Sequence, residues 1–508
     1  MKVNRVLILG GGSAGFLVGL TLRARNPQLP VTVLRSKDIG VIGVGEGTTA
    51  LVLQHLHGNL KIGLREFFRD AEPVPKLGLR SINWGPRQFY DYNFAHHYGI
   101  RYHAVPRETG FYAEEDLSDS SLFTALMSRN RCCLRGADGQ PQVSPFWAYH
   151  LENKQFVALL ERYARQAGVA ILDDTVVHVI RNEAGIESLR LESGNAATAD
   201  LFVDCSGFAS MLLGGTLEEP FVSYARSLFC DRAVVGGWDR SAGEPIQPYT
   251  VAEGMNAGWC WRIDHEARIN RGYVYSSAFV SDAEAEAEFR RKNPKVQATR
   301  LVMFRSGRYQ RAWVKNVVAV GNAVGFVEPL EATAIGAICG MSQNLAEMLG
   351  VCGGEIEPSM VALFNRFTAR QWDQIRDFLA VHYRFATRPD TPFWQECRKS
   401  VDVAGAQEVV DFYRENGPTS IWRNILTDVN DSFGAEGYLS ILVGQKVPCK
   451  PYLPSSAEKA AWTQIKRGLA ARAQQHGMTV PETIKALRAT VDAPAGASTA
   501  RPAAPAQN

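Results

Sequence analysis

Residues 6–16 read VLILGGGSAGF, and this stretch decides the fold. Four apolar residues, Val6 to Leu9, run into Gly10, Gly12 and Gly15 at G-x-G-x-x-G spacing, and the apolar stretch 16–22 continues beyond them. The pattern predicts a strand, a tight turn and a helix. Glycine meets three needs there: permissive backbone angles, close approach of the main chain to a pyrophosphate, and tight packing of helix on strand. The helix N-terminus adds unpaired N–H groups and the positive end of its dipole. Gly10, Gly12, Ser13, Ala14 and Gly15 are therefore read as a dinucleotide-binding turn, against the alternative of a glycine turn without a ligand.

Outward from this stretch, the 508 residues are 46% hydrophobic and 21% charged, enough for large cores and for two or three structural units. A net charge of +3 implies neither a nucleic-acid nor an anionic-membrane partner. No apolar run reaches membrane-spanning length, and MKVNRVLILGGG enters the first strand without a signal-peptide pattern, so the expected location is cytoplasmic. The nine cysteines are scattered without a C-x-x-C pair, which argues against a zinc site or a disulfide framework. The adjacent His96 and His97 lack the spacing of metal-binding helices, and no metal is expected.

Residues 31–34 (VTVL) read as a second parallel strand, closed by Arg35 where dinucleotide folds usually place an acid. Asp38 substitutes for that acid, or Arg35 faces the adenine or a phosphate. Residues 41–49, VIGVGEGTT, form a second glycine-rich turn containing Gly45 and Glu46, with Thr48 or Thr49 as helix N-cap. Residues 71–84 read as proline punctuation followed by a strand, and 84–146 as loops over a site or interface. An amphipathic helix is expected over 153–168, with strands near 169–172, 176–180, 186–191 and 201–207. A final strand, 317–320, ends at Gly321 and Asn322 before a helix beginning near Thr333. A cofactor domain assembled from segments so far apart suits FAD better than NAD. Helices dominate beyond 350, and 491–508 is an Ala/Pro-rich disordered tail.

Seven segments in order make the chain similar to the flavin-dependent halogenases, especially the tryptophan halogenase group: GGGSAG (10–15), IGVGEGTT (42–49), KLGLRSINW (76–84), DCSG (204–207), GWCWRI (258–263), FVEPLEATAIG (326–336) and DTPFW (390–394). The resemblance implies an α/β fold, an FAD-binding Rossmann-like module of the para-hydroxybenzoate hydroxylase type with a helical C-terminal cap. Residues 1–350 would form the flavin module, with substrate-side insertions near 84–146 and 210–300, and 351–490 the cap. It also implies that reduced FAD and oxygen oxidise a bound chloride or bromide to hypohalous acid. A lysine, at Lys76, then holds or receives the halogen for an electron-rich aromatic ring. Glu331 matches the glutamate near that lysine. Thr333 and Ala334 match the backbone halide site, and Gly321 and Leu330 join the cofactor contacts. Trp259 and Trp261, two residues apart on one strand face, would wall a tunnel.

Four residues in three places depart from the family pattern. Asp264 stands for the proline of W-x-W-x-I-P, Ser81 for an aromatic residue, and L-E-A-T-A for L-E-S-T-G. Tyr438 is followed by Leu439 where tryptophan halogenases carry a Tyr-Tyr pair, which opens the substrate to free indoles, phenols, pyrroles or a peptide-borne ring. One dinucleotide turn and no NAD module call for a separate flavin reductase. A halide-independent flavin monooxygenase or oxidase is the alternative on the same fold. Monomer and homodimer both stay open.

Overall fold

The computed structural model describes residues 1–40, 45–95, 98–421, 423–427 and 431–489. The readings placed on 41–44, on His96 and His97, and on the tail 491–508 lie outside the described residues.

Val6–Leu9 is buried throughout and occupies an inner position of a six-stranded sheet. In order, the strands are Trp313–Val314, Val317–Ala319, Leu201–Asp204, Val6–Leu9, Val31–Arg35 and Ala170–Asp173. All neighbours run parallel except the first pair, with Ile8 opposite both Val203 and Val33. The inner strands are continuously apolar because the sheet is covered on both faces. Helix Ser13–Arg25 packs against both Asn153–Gln166 and Ala334–Val351. The sheet thus gathers its strands from residues 6 to 319, as the spacing of the strand patterns predicts.

A second sheet has seven strands: Thr299–Met303, Arg232–Asp239, Arg268–Tyr275, Gly258–Asp264, Thr250–Met255, Gly78–Ile82 and Phe89–Asn93. The reading of 84–146 as loops needs correction. It holds strand Phe89–Asn93 and helices Gly110–Ala113 and Leu122–Ser128, the last closed by a Ser121/Thr124 capping box. These elements show no period because they are short and buried on nearly every side, so polar and apolar positions do not alternate. A separate three-stranded sheet sets Ala148–Leu151 between Glu46–Gly47 and Val74–Lys76.

The C-terminal region is helical, led by Pro358–Phe385, Gly434–Gly444 and Ser456–His476. It returns to the N-terminal half: Gly477–Met478 pairs with Cys133–Leu134, and Arg488 Nε donates to the Phe68 carbonyl at 2.9 Å. No helix among the described residues is long and apolar enough to cross a membrane.

Two glycines of the first turn differ in what surrounds them. A Cβ on Gly15 would fall 1.8 Å from the Gly10 carbonyl oxygen, whereas one on Gly12 would meet nothing within 4 Å. Gly15→Ala should therefore cost about 2 kcal/mol or more of stability, while Gly12→Ala should melt with the parent. Thermal denaturation of the two variants checks this, and equal losses would contradict it.

Candidate active site

The small sheet carries the central lysine. Val74–Lys76 is apolar and buried on both faces, so its last side chain is drawn inside, and Lys76 is 1% exposed. Its Nζ donates to the Thr48 carbonyl at 3.1 Å and lies 5.0 Å from the centre of the Phe94 ring. Burial pushes the amine down to about 8, and the Glu331 carboxylate pulls it part of the way back. A buried lysine in this range exchanges its proton near neutral pH.

Glu331 arrives from the other side. Pro329–Glu331 forms one tight turn, Ala332 follows in the left-handed region at φ 56°, and helix Ala334–Val351 begins after Thr333. That reversal turns Glu331 inward, where it is 2% exposed. Its Oε1 lies 3.0 Å from His382 Nε2, off the line of a hydrogen bond. Thr333 offers no side-chain cap, so the first amides of the helix keep their donors free of it. Gly47 completes the group: a Cβ there would meet Ala332 Cβ at 2.9 Å and Lys76 Nζ at 3.3 Å.

A second buried carboxyl was not foreseen. Glu328 is 1% exposed and accepts from Trp259 Nε1 at 3.0 Å and from the Tyr383 hydroxyl. Burial raises its pKa to about 7, against the lowering effect of these donors. Trp259 and Trp261 do share a strand face, their rings 6.1 Å apart, and Trp261 stacks over the bare backbone of Gly272. A signal for Glu328 was present in EPLE, where two glutamates three residues apart straddle a turn, but only one was singled out.

Tyr438 lies in a different place, on an open cleft of about 500 Å³ lined by Arg366, Asp377, Thr427 and Asp431 among others. Aromatic rings link the cleft to the lysine. Phe378 is 5.0 Å from Tyr438 and 5.7 Å from Tyr92, Tyr92 is 5.6 Å from Phe94, and Phe94 underlies Lys76.

The glycine-turn end shows how the remaining candidates are placed. Gly321 has φ +67° and sits between Ile338 of one helix and Ala14 at the start of another. Leu330 is buried. Arg35 packs against Gly11 and forms a two-point ion pair with Glu161, with NH1 to Oε2 at 2.5 Å and NH2 to Oε1 at 2.9 Å. Its Nε and the Thr49 hydroxyl are buried without hydrogen-bond partners among the described residues. Gly45, at φ +72°, backs onto Asn270 and His265, and Glu46 accepts from Asn153 Nδ2.

Asp264 proves to be a neutralised group. It is 1% exposed, paired with Arg262 Nε at 2.8 Å and Arg240 NH2 at 3.4 Å, and it accepts the Gln247 amide at 2.8 Å. Ser81 stands opposite Tyr90 in the strand pair, and the Tyr90 ring covers Gly444. The aromatic bulk is supplied from the neighbouring strand.

A profile of the family described as "Tryptophan halogenase" matches residues 5–461. The chain belongs to the tryptophan halogenase family. Among family members, tryptophan 7-halogenase RebH of Lentzea aerocolonigenes is 31% identical over 486 residues, covering 87% of this chain and 89% of RebH. Tryptophan 7-halogenase KtzQ of Kutzneria sp. (strain 744) is 33% identical over 459 residues, 83% of each chain. The solved structure of MibH, a lanthipeptide tryptophan 5-halogenase, superposes with a TM-score of 0.86 at 34% identity, over 96% of this chain and 94% of that one. BrvH, a flavin-dependent halogenase from Brevundimonas sp. BAL3, gives 0.83 at 27% identity, over 96% and 99%. The α/β fold with a helical C-terminal region is that of these halogenase structures, and the chain is of an enzyme family.

Glu328 gives a stability test. Its folded pKa is raised above 4.5, so the stability it contributes is fully present below pH 4.5 and lost as pH rises through about 7. Glu328→Gln keeps an acceptor for Trp259 and Tyr383 without the charge. Its melting temperature relative to the parent should rise between pH 5.5 and pH 8.5. An unchanged difference would contradict the raised pKa.

Proposed function

We propose that this chain is a halogenase that uses externally supplied FADH2, oxygen and chloride or bromide to halogenate an electron-rich aromatic ring, indole-like or phenolic. The observation that carries the reading is Lys76: a buried amine poised near pH 8, beside Glu331, at the inner end of an aromatic column.

The glycine-turn end fits a flavin dinucleotide. Open space above Gly12 leaves room for a pyrophosphate at the N-terminus of helix Ser13–Arg25, and the unpartnered Arg35 Nε and Thr49 hydroxyl are donors awaiting an acceptor. Gly10, Ser13, Ala14, Gly15, Gly45, Glu46, Gly321 and Leu330 would complete the cradle of a module of the para-hydroxybenzoate hydroxylase type. Bound FAD, reduced by a separate flavin reductase, would supply the oxidising equivalent that turns halide into hypohalous acid. The free amides at Thr333 and Ala334 are suited to hold the halide. Their use needs no side chain, so alanine at 334 does not prevent it.

Lys76 then binds the hypohalous acid through its oxygen and leaves the halogen end toward the ring. As the halogen passes to a ring carbon, the Lys76 ammonium gives a proton to the departing oxygen, which leaves as water. Glu331 takes the proton released by the ring. Trp259 and Trp261 wall the passage and keep the ring away from the flavin side. The cleft at Tyr438 admits the remainder of the substrate. It is open and lined by both charges, and it suits a ring carried on an amino acid or a peptide.

Lys76→Ala should lose halogenated product by about a hundredfold or more, while reduced flavin is still consumed. The check is mass spectrometry of bromide reactions with a panel of indoles and phenols, read by the bromine isotope pattern. Retained bromination by the variant would remove Lys76 from the mechanism.

A further inference from the structure

The register of the small sheet sets His150 opposite Gly47, one strand away from Lys76. His150 is fully buried, with Nδ1 3.1 Å from the Asp264 carbonyl oxygen and Nε2 2.8 Å from Thr250 Oγ1. A carbonyl only accepts, so the Nδ1 of His150 must carry the proton. Burial, reinforced by the Lys76 charge, holds the imidazole well below its usual pKa, so the ring is neutral and Nε2 is a lone pair. The Thr250 hydroxyl must then donate to Nε2, and the face of its oxygen turned away from His150 offers lone pairs alone.

That oxygen borders the same space as the lysine. From the position a Cβ would take on Gly47, Thr250 Oγ1 lies at 3.6 Å and Lys76 Nζ at 3.3 Å. Thr250 is 4% exposed and stands on the strand that pairs with Gly78–Ile82, directly after the lysine in sequence. One donor and one oriented acceptor therefore converge at the edge of Gly47, where Ala332 Cβ, 2.9 Å from the same position, closes the third side. Hypohalous acid presents the complement, an oxygen that accepts and an O–H that donates.

We propose that Thr250 is the second hydrogen-bonding residue of the hypohalous-acid site, accepting its O–H while Lys76 donates to its oxygen, and that His150 is the positioning residue that fixes the polarity of Thr250. The inference rests on the reading of Lys76 given above. Two contacts fix the direction of the halogen, whereas one contact lets the acid turn and escape. No bond to Thr250 forms or breaks, and the oxygen still leaves as water.

Two measurements test this. In flavin-free protein with 15N-labelled histidine, His150, assigned by loss of its signal in His150→Gln, should show a protonated Nδ1 and an unprotonated Nε2. A proton on Nε2 would overturn the proposal, because Thr250 would then turn a donor into the site. In turnover with bromide and a diketone trap for free hypohalous acid, Thr250→Val should raise the ratio of trapped acid to brominated product about tenfold, and Thr250→Ser should restore it. An unchanged ratio in Thr250→Val overturns it, as does a Thr250→Ser that behaves like the valine, which would assign the effect to packing. If Thr250→Val does not fold, the serine variant and the histidine spectrum still decide. Full bromination by Lys76→Ala would instead break the underlying reading and leave the histidine spectrum unaffected.

Discussion

An amine sealed from water beside a carboxylate is the constraint around which this protein is arranged. Lys76 has one backbone acceptor, Thr48, an aromatic face, Phe94, and the field of Glu331. An isolated ammonium in such surroundings is costly, and a carboxylate nearby offsets the cost without removing it. The amine stays balanced between its two protonation states, a condition that a solvent-exposed lysine does not meet. Lys76 closes Val74–Lys76, the edge strand of the three-stranded sheet, which pairs on one side with Ala148–Leu151.

The departures from the family pattern are absorbed locally. Asp264 replaces a proline but faces two arginines, Arg240 and Arg262, and its carbonyl holds the proton side of His150. A free carboxylate near the site would repel halide, and this one is not free. Tyr90 fills the volume opposite Ser81 from the adjacent strand.

The strand, glycine turn and helix at residues 6–25 were legible in the sequence because their physics is local. Three glycines at fixed spacing after an apolar strand have few other uses, and the parallel strands around them are apolar on both faces. Lys76 and Glu331 stand out in the sequence only through the resemblance, since 255 positions separate them and no local pattern links a lysine to a distant turn. His150 and Thr250 were missed for the same reason, and Glu328, marked in the sequence by EPLE, needed its partners to gain a meaning. Their meaning lies in the Trp259, Tyr383 and Asp264 atoms they meet, which the packing of segments remote in sequence brings together. The segment 84–146 hid its strand and helices because burial on all sides erases periodicity.

In the proposed reaction the oxidising equivalent reaches the substrate as halogen rather than as oxygen. Turnover under 18O2 with bromide and an aromatic substrate tests it directly by mass spectrometry of the product. The expected product carries bromine and no 18O, with both labelled oxygen atoms recovered in water. A product carrying 18O on the ring and no bromine would contradict it and assign the chain to oxygen transfer.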